Sequence, residues 1–321
     1  MSPARAGLLS IGTALPKLSL TNTELAEAQG IDTSDEWIFR RTGIHSRHRI
    51  SGDETLTSLA TLAAVEALDK AGKKSSDIDH IFACTLTPDQ LTPGLAPMVA
   101  GEIGAPQAAA TDLNAACSGF IYALDIAISV IESGRADLIL IVAAEALSRI
   151  TDHKDRGTAI LFGDGAGAVV VGAGNYAHGP GKFIFGSNSG QRGLLYADIF
   201  ERKLKMRGPE VYRAAVENMV ASSKAAIAAS GLTADDIDLF VAHQANARII
   251  ETVAKELDFP HDKVFFDVEH SANTSAASIP LALGRAEAAG VLKPNMTLGL
   301  TAFGAGFVWG AGVVRWREDE I

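Results

Sequence analysis

Asn114–Leu124 reads N-A-A-C-S-G-F-I-Y-A-L, and Asn273–Leu283, 159 residues later, reads N-T-S-A-A-S-I-P-L-A-L. Each stretch is a polar turn followed by an apolar run at helical spacing. The same offset carries D-I-D-H-I-F-A-C from Asp77 onto D-I-D-L-F-V-A-H from Asp236. It also carries Ala71-Gly72 onto Ser230-Gly231, and the buried strand around Ile141 onto Leu300. Segments repeated in one register indicate an internal duplication. The predicted fold is α/β, with two copies of one strand–helix unit related by a pseudo-two-fold axis. Residues 1–174 and 175–321 form the halves, joined in the Gly- and Pro-rich stretch Gly172–Gly181. Strand ends from both halves should then meet at a shared cleft.

The 321-residue chain is 47% hydrophobic, enough for a large core without a metal or disulfide staple. A formal net charge of −10 argues against broad nucleic-acid binding, so an anionic ligand needs a local basic cluster. Arg40–Arg49, R-R-T-G-I-H-S-R-H-R, is one candidate, although charge alone favours a solvated face. Only Cys84 and Cys117 are present, which points to a reducing cytoplasm and no disulfide framework. The N-terminus lacks the apolar core of a signal peptide, and the run Leu138–Ala144 is too short to cross a bilayer. A soluble protein with no membrane partner is expected. The stretch L-F-G-D-G-A-G-A-V-V-V-G has G-x-G-x-G spacing and continues into β-branched residues, where a dinucleotide fingerprint needs a helix. Its glycines read as turning and sheet packing.

Cys117 falls where a helix begins, a position whose free N–H groups and dipole favour thiolate. A small residue packed at a strand–helix junction is the alternative. The duplication makes His243 the counterpart of Cys84 and Asn273 that of Asn114, bringing Cys117, His243 and Asn273 to one cleft. Such a set suits acyl transfer through a thioester, with histidine and asparagine donating to an oxyanion or enolate. No compact His/Cys cluster suggests a metal. A Cys–His–Asn hydrolase and a non-enzymatic acyl-binding module remain as other classes. Cys84, with no base or motif beside it, reads as core packing.

Six motifs, in order along almost the whole chain, resemble the β-ketoacyl-acyl carrier protein synthase III enzymes of the thiolase superfamily. They are T-S-D-E-W-I-F-R-R-T-G-I, A-A-C-S-G-F-I-Y-A-L, D-R-G-T-A-I-L-F-G-D-G-A-G-A, H-Q-A-N-A-R-I-I, N-T-S-A-A-S and F-G-A-G-F-V-W-G. The resemblance implies a thiolase-like fold, a cytoplasmic homodimer and a ping-pong reaction needing no cofactor beyond a CoA thioester substrate. An acyl-CoA starter would load onto Cys117 and CoA would leave. Malonyl-acyl carrier protein would then lose CO2 and attack the acyl-enzyme, giving a 3-oxoacyl-acyl carrier protein. Simple acyl transfer to another acceptor, without decarboxylation, is the alternative.

The same resemblance implies enolate stabilisation by His243 and Asn273, and an oxyanion hole from the backbone N–H groups of Cys117 and Ala305. Trp37 and Arg41 would bracket the adenine of CoA with Arg156 opposite, and Asn246 would bind the pantetheine arm. Arg213, Arg248 and Lys255 would dock the acidic carrier protein. Thr92 stands where some relatives carry phenylalanine at the acyl pocket, hinting at longer or branched starters. Two departures stand out. The glycine triplet reads Gly304-Ala305-Gly306, and Ser187–Met206 is short and without a clear match.

Overall fold

The computed structural model describes residues 5–174 and 181–317. The boundary predicted at residues 174 and 175, with most of the Gly172–Gly181 joint, lies outside the described residues.

A five-stranded sheet organises the first half, in the order Arg5–Ala14, Asp164–Gly174, Leu138–Ala146, His80–Cys84, Ala109–Leu113. The second sheet runs Phe183–Ser187, Val308–Arg315, Thr297–Gly304, Leu239–Ala242, the same order of equivalent strands. Register obeys the duplication. His80 pairs with Ile139 and Leu239 with Leu298, both in parallel, and both partners are displaced by 159 residues. Where a fifth strand would lie, Phe240 keeps a single parallel bridge to Val264.

All nine residues of Leu138–Ala146 are buried, as expected of a strand covered on both faces. On one side of the sheet the helix Gly119–Glu132 packs on this strand, and Ser278–Ala288, buried on nearly every side, packs on Arg5–Ala14 and Asp164–Gly174. A helix apolar all round belongs in an interior layer. These two helices lie between the sheets, in a core shared with Leu239, Val241, Leu298 and Leu300 of the second sheet. Pro280 is accommodated because the first helical turn needs no intrahelical donor there. The helices Leu56–Lys70 and Leu95–Glu102 cover the outer face of the first sheet. Gly208–Ala229 and Ala247–Glu256 cover that of the second. Gly12 lets the first strand touch the helix Leu56–Lys70, since a methyl there would collide with the Ala63 carbonyl.

The basic run Arg40–Arg49 is not simply a solvated face. Arg47 is fully buried, donating to Leu20 O, Asn22 Oδ1 and Ile160 O, and burial lowers its pKa to about 10. Those acceptors make it a strut between the N-terminal segment and Ile160. A charge count along the sequence could not see them.

Candidate active site

Cys117 sits in the 3-10 turn Ala116–Ser118, which leads into the helix Gly119–Glu132. The equivalent turn of the second half is Ser275–Ala277. Each opens on a residue forced into the left-handed region, Ala116 at φ 49° and Ser275 at φ 52°. Such strain, roughly 1–3 kcal/mol per residue, persists only where surroundings over-determine it. Part of that support is a side-chain amide. Asn114 Oδ1 accepts from the Ala116 N–H at 3.2 Å, and Asn273 Oδ1 from the Ser275 N–H at 2.9 Å. With its oxygen so engaged, Asn273 has its NH2 group left as a donor for the cavity it lines. Its main chain is clamped by the first half, donating to Leu161 O at 2.9 Å and accepting from the Gly163 N–H at 3.0 Å.

His243 follows the strand Leu239–Ala242, and its N–H donates to Thr301 O at 2.8 Å. Its Nδ1 lies 2.7 Å from Ser278 Oγ, which already accepts from the Gln244 N–H at 3.3 Å. This contact fixes the orientation of the ring, and with Nδ1 accepting the serine proton the imidazole N–H would be the one on Nε2. Burial holds the imidazole neutral, with its pKa lowered to about 4. His243 is thus a neutral N–H donor.

Burial pushes the Cys117 thiol up to about 11, against lowering by the Ser275 hydroxyl and by the cysteine's own N–H, while Glu145 raises it further. The expectation of a resting thiolate is corrected. The start of a short 3-10 turn does not outweigh the desolvation of a sulfur anion in this interior. Cys84 is buried, has its pKa raised by burial and packs against Gly119, which agrees with the core-packing reading.

A methyl on Gly304 would lie 2.8 Å from the Cys117 nitrogen, so these backbones touch. Ala305 is the next residue, and its N–H donates to no backbone carbonyl among the described residues. Its φ is not positive, which explains why a methyl is tolerated in the middle of the glycine triplet.

A cavity of about 870 Å³ joins these groups. Cys117, His243, Asn273 and Ala305 line it together with Trp37, Arg41, Asn246, Arg213 and Arg248. Trp37 carries the Arg41 guanidinium 4.0 Å from its ring centroid and that of Arg156 at 4.5 Å. Asn246 caps the helix Ala247–Glu256 through Oδ1 and donates to Arg41 O at 3.0 Å, tying it to the helix Asp35–Thr42. Arg248 stacks over Tyr212 on the lining, and Lys255 is exposed seven residues further along the same helix, on the same side. The segment Ser187–Met206 supplies a small hairpin, Leu195–Ala197 with Leu204–Met206. Leu195, Leu204 and Met206 form one wall of the cavity.

Thr92 is the exception. It is exposed and absent from the cavity lining of this chain. The helix that follows it is pinned to the edge strand Ala109–Leu113, where the Asp112 carboxylate accepts from the Leu95 and Ala96 N–H groups. Thr92 therefore lies near a sheet edge rather than over Cys117.

Residues 111–193 match the family described as 3-oxoacyl-[acyl-carrier-protein (ACP)] synthase III, and residues 227–316 match its C-terminal part. The beta-ketoacyl-[acyl-carrier-protein] synthase III of Paramagnetospirillum magneticum is 46% identical, over 97% of this chain and 99% of its own length. The chain belongs to the β-ketoacyl-[acyl-carrier-protein] synthase III family. A second synthase III, from Rhizorhabdus wittichii, is 44% identical over the same shares. The crystal structure of 3-oxoacyl-[acyl-carrier-protein] synthase III from Aquifex aeolicus VF5 matches with a TM-score of 0.94 at 41% identity, covering 97% of this chain and 100% of that one. The priming β-ketosynthase from the R1128 polyketide pathway matches equally well, TM-score 0.94, at 34% identity over 100% of this chain and 99% of its own. The fold is therefore the synthase III, thiolase-like fold, and the chain is an enzyme of the acyltransferase class. The motifs that carry this family gave no role to Ser278, Ser275 or Glu145. For Ser278 the available signal was its place 35 residues after His243, in the helix equivalent to the one after Cys117, but a serine there reads as a cap.

Proposed function

We propose that this chain condenses an acyl-CoA starter with malonyl-acyl carrier protein, releasing CO2 and a 3-oxoacyl-acyl carrier protein. The observation that carries this reading is the convergence of Cys117 from one half with His243 and Asn273 from the other on a single cavity. Trp37, Arg41 and Arg156 hold the adenine end of CoA, and Asn246 offers the N–H that Arg41 leaves unused to the pantetheine arm. Cys117 attacks the starter carbonyl, whose oxyanion is met by the N–H groups of Cys117 and Ala305. CoA leaves, and the carrier protein docks against Arg213, Arg248 and Lys255. As malonyl loses CO2, the enolate oxygen takes hydrogen bonds from His243 Nε2 and Asn273 Nδ2. Its carbon then attacks the thioester and frees Cys117.

CoA enters this cycle as a substrate, and no resident cofactor is needed. Two free cysteines, one of them required as a thiol, suit the cytoplasm. A homodimer is supported by the edge strand Ala109–Leu113, most of whose residues are exposed, and by Leu91, 83% exposed beside Thr92. The test is incubation of purified protein with a panel of acyl-CoAs and malonyl-acyl carrier protein. CO2 release and a product two carbons longer than the starter are expected. A product that keeps the starter's carbon count would place the enzyme among simple acyl transferases instead.

A further inference from the structure

Glu145, near the end of the strand Leu138–Ala146, is fully buried, and the reaction as described gives it no task. Three donors converge on one of its oxygens. Oε2 accepts from the Leu86 N–H at 3.0 Å, Thr87 Oγ at 2.7 Å and Thr85 Oγ at 3.4 Å. Oε1 has no hydrogen-bond partner, and neither has the buried hydroxyl of Ser275. Ser275 opens a turn that touches both the Leu138–Ala146 strand and the Cys117 turn, and its hydroxyl lowers the pKa of both Glu145 and Cys117.

The duplication locates the carboxylate independently. Glu145 is the counterpart of Gly304, 159 residues on. Gly304 is packed directly on Ala116, Cys117 and Ser118. The same relation packs Glu145 on Ser275–Ala277, and that turn does touch both the Leu138–Ala146 strand and the Cys117 turn. One half has glycine, so that the nucleophile's backbone can approach. The other has a buried carboxylate on the strand packed against the turn that carries the Ser275 hydroxyl.

We propose that Glu145 is the proton acceptor for Cys117, acting through the hydroxyl of Ser275. This rests on the acyl-transfer reading above. As the sulfur attacks the acyl-CoA carbonyl, the S–H proton passes to Ser275 Oγ and the Ser275 proton passes to Glu145 Oε1. When the tetrahedral intermediate collapses, the C–S bond to CoA breaks and its electron pair leaves on the CoA sulfur. The proton returns along the same path, so CoA departs as a thiol and Glu145 is again a carboxylate. Nothing is oxidised or reduced.

Burial raises Glu145 to about 7, against the three donors on Oε2, so the acid and its base are both present near neutrality. His243 cannot substitute, being held neutral and weakly basic with its pKa near 4. The titratable groups facing Glu145 are the Cys117 and Cys84 thiols, both with raised pKa values. Arg149 lies beyond, donating to the Thr87 carbonyl.

The experiment is rapid-quench mass spectrometry of Cys117 acylation, with CoA release, across pH 5–9. Alkylation of Cys117 by iodoacetamide over the same range is run beside it. In the wild type both rates should fall as pH drops through about 7, where the carboxylate is lost. Glu145→Gln should slow acylation roughly a hundredfold and flatten that limb. Ser275→Ala should do the same with Glu145 intact, and decides alone if the first variant does not fold. Acylation within threefold of wild type in either variant, or an unchanged acid limb, overturns the relay. A wild type that never loads an acyl group would instead sink the acyl-transfer reading, and the alkylation profile would then judge the relay by itself.

Discussion

His243 works as a neutral donor because its environment gives it no alternative. Burial lowers its pKa to about 4, and the Ser278 hydroxyl holds the ring from behind through Nδ1. An enolate would meet a hydrogen bond rather than a full positive charge. His243→Ala should therefore leave acylation of Cys117 intact and lower CO2 release by about 10²–10³-fold, the usual effect of removing one such donor. Equal loss in both half-reactions would mean that the imidazole serves the thiol as well. The depressed pKa also has a thermodynamic side. The unfolded chain binds a proton on this histidine below about 6.5, whereas the folded chain resists until about 4. Stability should fall with pH across that window, by about 3 kcal/mol from this group. Urea denaturation at pH 7 and pH 4.5 should show a smaller pH dependence in His243→Gln than in wild type. For Cys117 the sign is the opposite. The thiolate should absorb in the ultraviolet only as pH rises towards about 11, and absorbance saturating at neutral pH would refute the burial argument.

Turns and strand ends, rather than whole helices, carry the chemistry. Helix starts elsewhere are closed by side-chain caps: Thr21 forms a full capping box, and Ser34 receives the Trp37 N–H at 3.2 Å. The turns at Ala116 and Ser275 were legible as turns but their left-handed backbone was not, because the residues are an alanine and a serine where glycine would announce the bend. The hairpin Leu195–Met206 was equally opaque, with strands of three residues and no hydrophobic alternation to mark them. At the oxyanion hole the contrast between neighbours is testable. Gly304→Ala places a methyl 2.8 Å from the Cys117 nitrogen, and should cut turnover by at least tenfold while the protein still folds. Ala305→Gly should retain activity, since the backbone there already suits either residue. If both behave alike, contact with the Cys117 backbone is not what demands glycine at 304.

The two-half architecture was visible because one offset, 159, runs through strands, turns and helices alike. Composition said little about it. What the repeat concealed is where the halves differ: the second sheet retains only a bridge in place of its fifth strand, so the first alone presents the long edge Ala109–Leu113. Thr111→Lys, which adds charge to that exposed edge, should halve the molar mass measured by light scattering, and an unchanged mass would remove the edge from the dimer proposal. Asn273 carries a wider implication. Its position against the first half is held by main-chain bonds to Leu161 and Gly163, groups that every amino acid except proline can provide in full. Evolution can thus exchange the neighbouring side chains, reshaping what the chamber admits, without disturbing the spacing on which bond-making depends. A directed-evolution campaign for new starters should find its tolerant sites among those cavity walls and almost none in the seam itself.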